Sequence, residues 1–271
     1  MNGIVISIVN NKGGVGKTTT TVNLAHALTR HNKRVLVIDM DSQCNATSLL
    51  LPNGVRRNTM YELFDFEGHD IQAEKCIHAT PYENLFCLPN SEDTGALEPL
   101  LMGELPKSFM VFRKKIRDFV KQRYDFTLID DPPNMGFFVV SSLYASDFVI
   151  VPNEAGSSFS IEGLLKAIKL INDIREKGNK DLRFLRLLIT QVDRRLAMSK
   201  ITINDIKENF SKDQIFETTI PINAAFQKAE SLHQTILRYD SRTPGAKAYR
   251  ALAIEVINIF ETIKEKNIIN V

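Results

Sequence analysis

The strongest constraint in this sequence is a glycine-rich loop that joins an apolar run to a helix-like segment. The run IVISIV (4–9) leads into KGGVGKTT (12–19), and apolar residues then recur at helical spacing as far as Thr29. Glycines let backbone N–H groups approach phosphate oxygens, and the start of a helix adds a positive dipole end. A glycine turn without a ligand would explain the turn alone. The combination of strand, loop and helix therefore predicts a phosphate-binding loop.

Further apolar runs predict a parallel sheet covered by helices. They are RVLVID (34–39), FTLID (126–130), FVIVP (148–152) and FLRLLIT (184–190), and helix-like segments lie at 161–174 and 249–263. Nearly continuous apolar runs are typical of strands that are buried on both faces. We predict an α/β fold with a doubly wound, mostly parallel β-sheet flanked by helices. Ligands of such folds bind at the carboxyl ends of the strands.

The middle of the chain, residues 55–105, is less clearly patterned. TMYELFDF (59–66) predicts a short helix and NLFCLPN (84–90) a short strand. FMVFRKKIRDFVKQR (109–123) predicts a basic amphipathic helix, whose simplest role is a solvated outer face. No repeat or linker interrupts the chain, so residues 1–271 are predicted to form a single domain. The loop begins too early to leave room for an N-terminal helix-turn-helix domain.

Composition narrows the classes of protein that need to be considered. The chain has 271 residues, 44% hydrophobic content and a net charge of +2, so contact with nucleic acid would require a local basic patch. Cys44, Cys76 and Cys87 form no C-x-x-C pair, which argues against a disulfide framework or zinc site and favours a reducing cytoplasm. There is no signal-peptide pattern and no apolar run near the roughly 20 residues of a membrane span.

Carboxylates follow two of the predicted strands. Asp39 and Asp41 lie at the end of one strand, and Asp130 ends another. A strand's period of two places Asp39 and Asp41 on one side if the extended geometry continues. Neighbouring carboxylates repel one another unless a cation joins them, and Mg²⁺ with lysines would do so. The alternatives are helix capping by Asp41 or Asp130 and a purely structural role for Asp39.

The loop departs from the pattern G-x-x-x-x-G-K-[ST], because Asn11 stands where the first glycine would be. Its sequence instead resembles the deviant Walker A motif of the ParA/MinD class of P-loop ATPases. RVLVIDMDSQCNAT (34–47), YDFTLIDDPPNMG (124–136) and LITQVDRR (188–195) resemble later motifs of that class in the same order. RYDSRTPGAKAYRALAIEV (238–256) is similar to the C-terminal block of ParA-type partition ATPases. The resemblance covers nearly the whole chain and implies the P-loop NTPase fold.

The resemblance implies roles for individual residues. Lys17 would bind the β- and γ-phosphates of ATP, Lys12 would reach the partner subunit's nucleotide in an ATP-sandwich homodimer, and Asp41 would position the attacking water. The implied catalytic residues are thus Lys12, Lys17 and Asp41, and the implied Mg²⁺ residues are Thr18, Asp130 and Asp39. The implied ATP-binding residues are Lys12, Gly13, Gly14, Val15, Gly16, Lys17, Thr18, Thr19 and Pro221, the last in an adenine-contacting loop.

Several positions depart from the pattern of that class. Ser42 stands where proline is usual and Cys44 where glycine is usual, which changes the stiffness of the loop after Asp41. Asp131 stands where a small or uncharged residue is common, and an extra buried carboxylate raises a neighbour's pKa or needs a cationic partner. Leu196 replaces a common threonine.

The function implied is an Mg²⁺-dependent ATPase switch that hydrolyses ATP to ADP and phosphate. Its ATP-bound dimer would bind double-stranded DNA nonspecifically on the nucleoid, and a ParB-like centromere-binding protein would stimulate hydrolysis during plasmid or chromosome partition. Basic residues for DNA are expected at Arg238, Arg242, Lys247 and Arg250. Arg242 and Arg250 share helical spacing if a helix starts near Ser241. An ordinary solvated helix face is the alternative.

Two other functions remain open at this point. One is a MinD-like ATPase that positions division or other machinery at the membrane. The C-terminal segment IKEKNIINV (263–271) lacks an aromatic residue and carries Glu265 between its lysines, which argues against a membrane anchor. The other is a metabolic P-loop enzyme that uses ATP to activate a small carboxylic acid. An iron–sulfur scaffold lacks suitable cysteines.

Overall fold

A seven-stranded sheet forms the centre of the protein in a computed structural model. The structure describes residues 3–55, 57–64, 71–156 and 160–266, with the backbone alone for 160–162. The strands are β1 (Ile4–Ile8), β2 (Val35–Asp39), β3 (His78–Ala79), β4 (Leu85–Leu88), β5 (Phe126–Asp130), β6 (Phe148–Glu154) and β7 (Arg183–Thr190). Their order is β3-β4-β2-β5-β1-β6-β7, and all neighbours are parallel except β3 and β4. The predicted doubly wound, mostly parallel sheet is confirmed.

Helices cover both faces of this sheet. They are α1 (Lys17–Thr29), α2 (Asn45–Leu50), α3 (Met60–Phe64), α4 (Glu98–Gly103), α5 (Phe109–Arg123), α6 (Phe137–Ala145), α7 (Ser160–Lys177), α8 (Ala197–Asn209), α9 (Ala225–Ser231), α10 (Ile236–Tyr239) and α11 (Pro244–Glu265). The short helix predicted at 59–66 appears as α3, and its last two predicted residues lie outside the described ranges. α5 spans the predicted residues 109–123.

Two apolar layers explain why the strands read as unbroken hydrophobic runs. On one face, Ile6 and Ile8 of β1 pack with Leu24 of α1 and Leu252 of α11. On the other face, Val5 joins the cluster that α3 and α5 cover. Since side chains alternate across a strand, burial of both faces removes the need for polar residues at alternate positions. The polar chemistry is therefore displaced to the strand ends.

The predicted helix start near Ser241 is wrong, because α11 begins at Pro244. Thr243 caps this helix, and its Oγ1 accepts a 3.1 Å hydrogen bond from a backbone N–H of the first turn. Proline suits the first helical position because its missing N–H would have no helical partner there. Arg242 therefore precedes α11, and the helical spacing predicted to align Arg242 with Arg250 does not exist.

Within the described ranges, no helix combines the length and the apolar character that crossing a bilayer requires. The C-terminal segment 263–271, whose sequence argues against a membrane anchor, is described only as far as residue 266. Residues 267–271 of that segment lie outside the described ranges.

Candidate functional site

A cavity of about 1020 Å³ opens at the carboxyl edge of the sheet. One wall is the glycine loop with the start of α1, and another is the loop from Ile220 to Ala224 with α9. Asp41, residues of α2 and Tyr249 also contribute to the lining. The volume lies at the upper end of the range that is typical of small-molecule and cofactor sites. Its position agrees with the rule that ligands of such folds bind where parallel strands end.

Backbone conformation explains the glycines of the loop. Gly14 has φ 76° and Gly16 has φ 88°, a region that L side chains rarely adopt. A Cβ at Gly14 would meet nothing within 4 Å, so conformation rather than space requires glycine there. Thr190 at the end of β7 anchors the loop by donating a 2.8 Å hydrogen bond to the carbonyl of Val15. The Val15 side chain is buried and does not line the cavity.

Lys17 lies at the floor of the cavity, where its side chain is almost fully buried. Its Nζ donates a 3.1 Å hydrogen bond to the backbone carbonyl of Lys12. Burial lowers the pKa of Lys17, and the carboxylates of Asp130, Asp131 and Asp41 oppose that shift. A buried ammonium at a glycine loop and helix start is suited to bind phosphate oxygens.

Lys12 has a different environment from Lys17. Its Nζ forms a 2.6 Å ion pair with Glu154 Oε2 at the end of β6, and its side chain is 38% exposed. Lys12 lies outside the lining of the cavity. The strand predicted from the sequence ended at residue 152, so Glu154 was not among the predicted site residues. The signal that could have found it is the parallel strand itself, which places its carboxyl end beside the glycine loop.

Asp39 and Asp130 lie opposite each other on neighbouring strands and are completely buried. Asp39 Oδ2 accepts hydrogen bonds from the backbone and hydroxyl of Thr47 at 2.8 and 2.7 Å, and Asp39 Oδ1 accepts one from Asp41 N. Asp130 Oδ1 accepts a 3.1 Å hydrogen bond from Thr21 Oγ1. Burial raises the pKa of both carboxyls. Because like charges repel, the charge of Asp39 raises the pKa of Asp130 further, and the charge of Asp41 raises that of Asp39. A cation at this position would relieve that repulsion.

Asp41 lies at the cavity surface and is half-exposed. Its Oδ1 accepts a 3.0 Å hydrogen bond from the backbone N–H of Gln43. α2 begins only at Asn45, with Cys44 at the capping position and no side-chain cap, so Asp41 does not cap this helix. Cys44 has φ 55°, a left-handed conformation that explains why glycine is usual at such a position.

Asp131 is buried beside the site, outside the lining of the cavity. Its carboxyl accepts a short hydrogen bond from the hydroxyl of Ser142 in α6. Burial raises the pKa of Asp131 well above its usual range, and the hydroxyls of Ser142 and Ser7 oppose that rise. The hydroxyls of Ser142 and Ser7 therefore stabilise the Asp131 carboxyl in the interior of the protein.

The residues at the site fit a magnesium ion. The Oδ2 atom of Asp130 is buried and has no hydrogen-bond partner among the described residues, and the hydroxyls of Thr18 and Thr21 oppose the rise in the pKa of this carboxyl. The described residues contain no cluster of three or more His, Cys, Asp or Glu that could hold a metal. Mg²⁺ at a phosphate site needs few protein ligands, because phosphate and water oxygens complete its octahedron. Thr18 and Asp130 would hold the ion, whereas Asp39 already accepts three hydrogen bonds.

The wall opposite the glycine loop is mainly apolar. Pro221 pairs with Val192 in an isolated parallel bridge and faces the cavity together with Ile222. Phe226 packs edge-to-face against Tyr249, with 5.9 Å between the ring centroids, and both rings line the cavity. An apolar wall across from a phosphate loop provides the two environments that a nucleotide needs.

The four basic residues predicted for DNA contact lie outside the cavity. Arg238, Arg242 and Lys247 are exposed, and Arg250 is half-buried. Arg242 Nε lies 3.4 Å from Asp240 Oδ1. Arg250 donates a 2.7 Å hydrogen bond to a backbone carbonyl in the turn before α11. The structure thus places all four in one stretch of chain around the α11 start.

Comparisons with known proteins identify relatives along nearly the whole chain. A family model described as an AAA domain matches residues 3–184. The sporulation initiation inhibitor protein Soj of Bacillus subtilis is 35% identical over 94% of this chain and 98% of its own length. The chromosome-partitioning ATPase Soj of Thermus thermophilus is 35% identical over 93% of this chain and 94% of its own. Among solved structures, cobyrinic acid a,c-diamide synthase of Mycobacterium smegmatis with bound ADP and magnesium superposes with a TM-score of 0.80, at 25% identity and 96% coverage of both chains.

Proposed function

Because this chain belongs to the ParA/MinD class of P-loop ATPases, we propose that it is a partition ATPase that moves a plasmid or chromosome. It is an ATPase that uses Mg²⁺ and ATP. The observation that carries the proposal of partition is the similarity to Soj, which extends over 94% of this chain and 98% of that protein. A similarity that spans both chains includes the segments around the ATP site as well as the site itself.

The ATPase reaction is the attack of water on the γ-phosphate. Lys17 holds the phosphates, and Asp41 at the cavity surface orients the water. Catalysis by these groups consists mainly of positioning and of electrostatic stabilisation. Bound Mg²⁺ would neutralise charge on the phosphate oxygens.

Dimer formation depends on Lys12 in this proposal. Lys12 is partly exposed and lies outside the cavity of its own chain, so its ammonium is accessible to a second subunit. When it contacts the partner's ATP, nucleotide binding and dimerisation become coupled. The ATP-bound homodimer then binds double-stranded DNA nonspecifically on the nucleoid, in the cytoplasm, and a ParB-like centromere-binding protein stimulates hydrolysis.

The experiment that tests this function combines DNA binding with oligomer size. Plasmid DNA binding and size-exclusion profiles are measured with ATP, ADP and a slowly hydrolysed ATP analogue. We expect dimer and DNA binding with ATP and the analogue, and neither with ADP. DNA binding that is the same with all three nucleotides would contradict the proposed switch.

The structural similarity to the diamide synthase supports a second candidate, a metabolic enzyme that uses ATP to activate a small carboxylic acid. Identity to that protein is 25%, whereas identity to Soj is 35%. A chain that stays monomeric with ATP and ignores DNA would favour this candidate.

A further inference from the structure

Helix α9 presents one face to the cavity, and this face carries a carboxylate that the ATPase chemistry does not use. Phe226, Gln227 and Glu230 all line the cavity. Phe226 and Glu230 are four residues apart, so they lie on the same side of the helix and about 6 Å apart along its axis. Glu230 therefore lies about one helical turn beyond Phe226, a separation similar to the width of a sugar ring.

The Glu230 side chain reaches the beginning of α1. Its Oε1 accepts a 3.1 Å hydrogen bond from Thr19 Oγ1, directly after the phosphate-loop residue Thr18. Glu230 thus lies between two parts of the site. The ribose joins the phosphates to the base, so a nucleotide with its phosphates on the glycine loop and its base against Pro221 and Phe226 would carry its ribose along the wall that includes Glu230.

We propose that Glu230 accepts hydrogen bonds from the ribose hydroxyls of the bound nucleotide and so makes the site selective for ribonucleotides over deoxyribonucleotides. This inference rests on the ATP site of the proposed function. An ionised carboxylate can only accept hydrogen bonds, and the two vicinal ribose hydroxyls are donors. Such charge-assisted bonds are stronger than bonds between neutral groups. Toward phosphate oxygens or the π-face of a base the same carboxylate would be repulsive.

A purely structural role for Glu230 makes a different prediction. If the side chain serves only to fasten α9 to α1 through Thr19, its removal weakens every nucleotide to the same extent. If it contacts the ribose, its removal weakens ATP but spares an analogue that lacks the hydroxyl. The ratio of the two affinities therefore separates contact with the ribose from support of the wall.

Calorimetric titration of three proteins with three Mg²⁺-nucleotides tests the proposal. The proteins are the parent chain, Glu230→Ala and Lys228→Ala, and the nucleotides are ATP, 2′-deoxy-ATP and 3′-deoxy-ATP. Lys228 lies on α9 outside the cavity lining and is a matched control for the helix. We expect the parent to bind at least one deoxynucleotide about tenfold more weakly than ATP.

In Glu230→Ala we expect ATP to weaken until that ratio is near one, while the affinity for the deoxynucleotide stays within about twofold of the parent value. Glu230→Gln keeps an acceptor oxygen without the charge and should give an intermediate ratio, and Lys228→Ala should keep the parent ratio. Equal loss of all three nucleotides, or an unchanged ratio, would overturn the inference and leave the ATP site standing. A parent chain that binds none of the three would overturn both.

Discussion

At the scale of single residues, the two lysines of the glycine loop differ in what holds them. Lys17 is buried and hydrogen-bonded inside its own chain, with three carboxyl groups nearby that offset only part of the effect of burial on its pKa. Lys12 is held by one ion pair with Glu154 that is partly open to solvent. Partly exposed ion pairs contribute about 0–1 kcal/mol, so a phosphate could displace Glu154 at little cost. Lys17 thus belongs to the phosphate site of its own subunit, whereas Lys12 can exchange Glu154 for a phosphate of a second subunit's nucleotide.

Replacing Lys17 with alanine should abolish ATP binding. The substitution removes the only Lys or Arg among the described residues that line the cavity. We expect at least a hundredfold loss of affinity, about 3 kcal/mol, in calorimetric titration. Lys180→Ala removes an exposed lysine and should bind ATP as the parent does. Unchanged affinity in Lys17→Ala would contradict the phosphate-loop assignment.

Asp41→Ala should bind ATP and fail to hydrolyse it. Asp41 lies at the cavity surface and is half-exposed, so its loss leaves the glycine loop intact. Phosphate release should fall by about a hundredfold or more, and ATP-bound dimer should accumulate on size exclusion. Normal phosphate release would remove the catalytic role of Asp41.

Lys12 and Glu154 should have opposite effects on assembly. Lys12→Ala should lose ATP-dependent dimerisation while it still binds ATP, since Lys17 keeps its place. Glu154→Gln removes the competing carboxylate, and it should lower the protein concentration at which ATP produces a dimer. Both effects are measured by analytical ultracentrifugation with ATP. If Lys12→Ala dimerises as the parent does, the second lysine of the loop has another role.

These residues also show which parts of the site can be predicted from the sequence alone. Loop spacing placed Lys17 and Thr18 at the site, because a glycine loop between strand and helix has few possible geometries. Strand ends placed Asp39 and Asp130 as neighbours for the same reason. Glu154 was not predicted, since its partner lies 142 positions away and only the three-dimensional arrangement of strands brings the two together.

At the scale of elements, three polar contacts besides that of Thr19 with Glu230 join α1 to the C-terminal part of the chain. Thr20 Oγ1 lies 3.2 Å from the hydroxyl of Tyr249, and Asn23 Oδ1 accepts a 2.7 Å hydrogen bond from the backbone at the start of α10. His26 Nδ1 lies 2.6 Å from Thr235 Oγ1. The helix that begins at the phosphate loop is thereby fixed in orientation by residues near its first turn and along its length.

His26 should make the stability of the protein depend on pH. Burial, with help from Arg30 and Arg238, lowers its pKa to about 4. Between about pH 4 and 6.5 the unfolded chain binds a proton that the folded chain does not, so stability falls as the pH is lowered. Between pH 7 and pH 4.5 this effect should amount to about 2 kcal/mol.

Urea unfolding of the parent and of His26→Gln at these two pH values measures that contribution. The difference between the two proteins in free energy of unfolding should shift by about 2 kcal/mol in favour of the variant at the lower pH. Comparison with the variant removes the contribution of the buried carboxyls, which both proteins share. A difference that does not change with pH would show that His26 is not the group responsible.

Element boundaries show where local patterns fail. The apolar runs and helical periodicity located β1, β5 and α5 to within a residue, because burial on a regular face leaves a strong period. The beginning of α11 was misplaced because it was inferred from the spacing of basic residues. The capping signal of Thr243 followed by Pro244 marks the true start. The two-residue strand β3 is too short to leave a period in the sequence.

At the scale of the whole molecule, the cavity and the predicted DNA-contacting residues lie on different parts of the surface. Arg238 and Arg242 precede α11, Arg250 lies in its second turn, and none of the three lines the cavity. α11 in turn packs on the same apolar cluster as α1. The candidate DNA surface is therefore attached to the helix that carries the phosphate loop.

Replacing Arg242 and Arg250 together with alanine should weaken DNA binding. Loss of two phosphate contacts should reduce the slope of log affinity against log salt by about 2. The matched control replaces Arg175 and Lys177 on α7, two exposed basic residues that are not part of the predicted surface. Binding is measured by fluorescence anisotropy across a salt series in the presence of ATP. If both double variants behave as the parent does, DNA binds elsewhere on the protein.

The contact between Thr20 and Tyr249 has a consequence for the folding of the protein during its synthesis on the ribosome. The two residues are 229 positions apart, so the phosphate-loop helix is synthesised long before the helix that covers it. At about 5–20 residues per second, the interval is roughly 10 to 45 seconds. During that time the apolar residues of α1 that pack against α11 in the folded protein lack that contact. The nascent chain is thus expected to become able to use ATP only after Tyr249 and the rest of α11 have been synthesised.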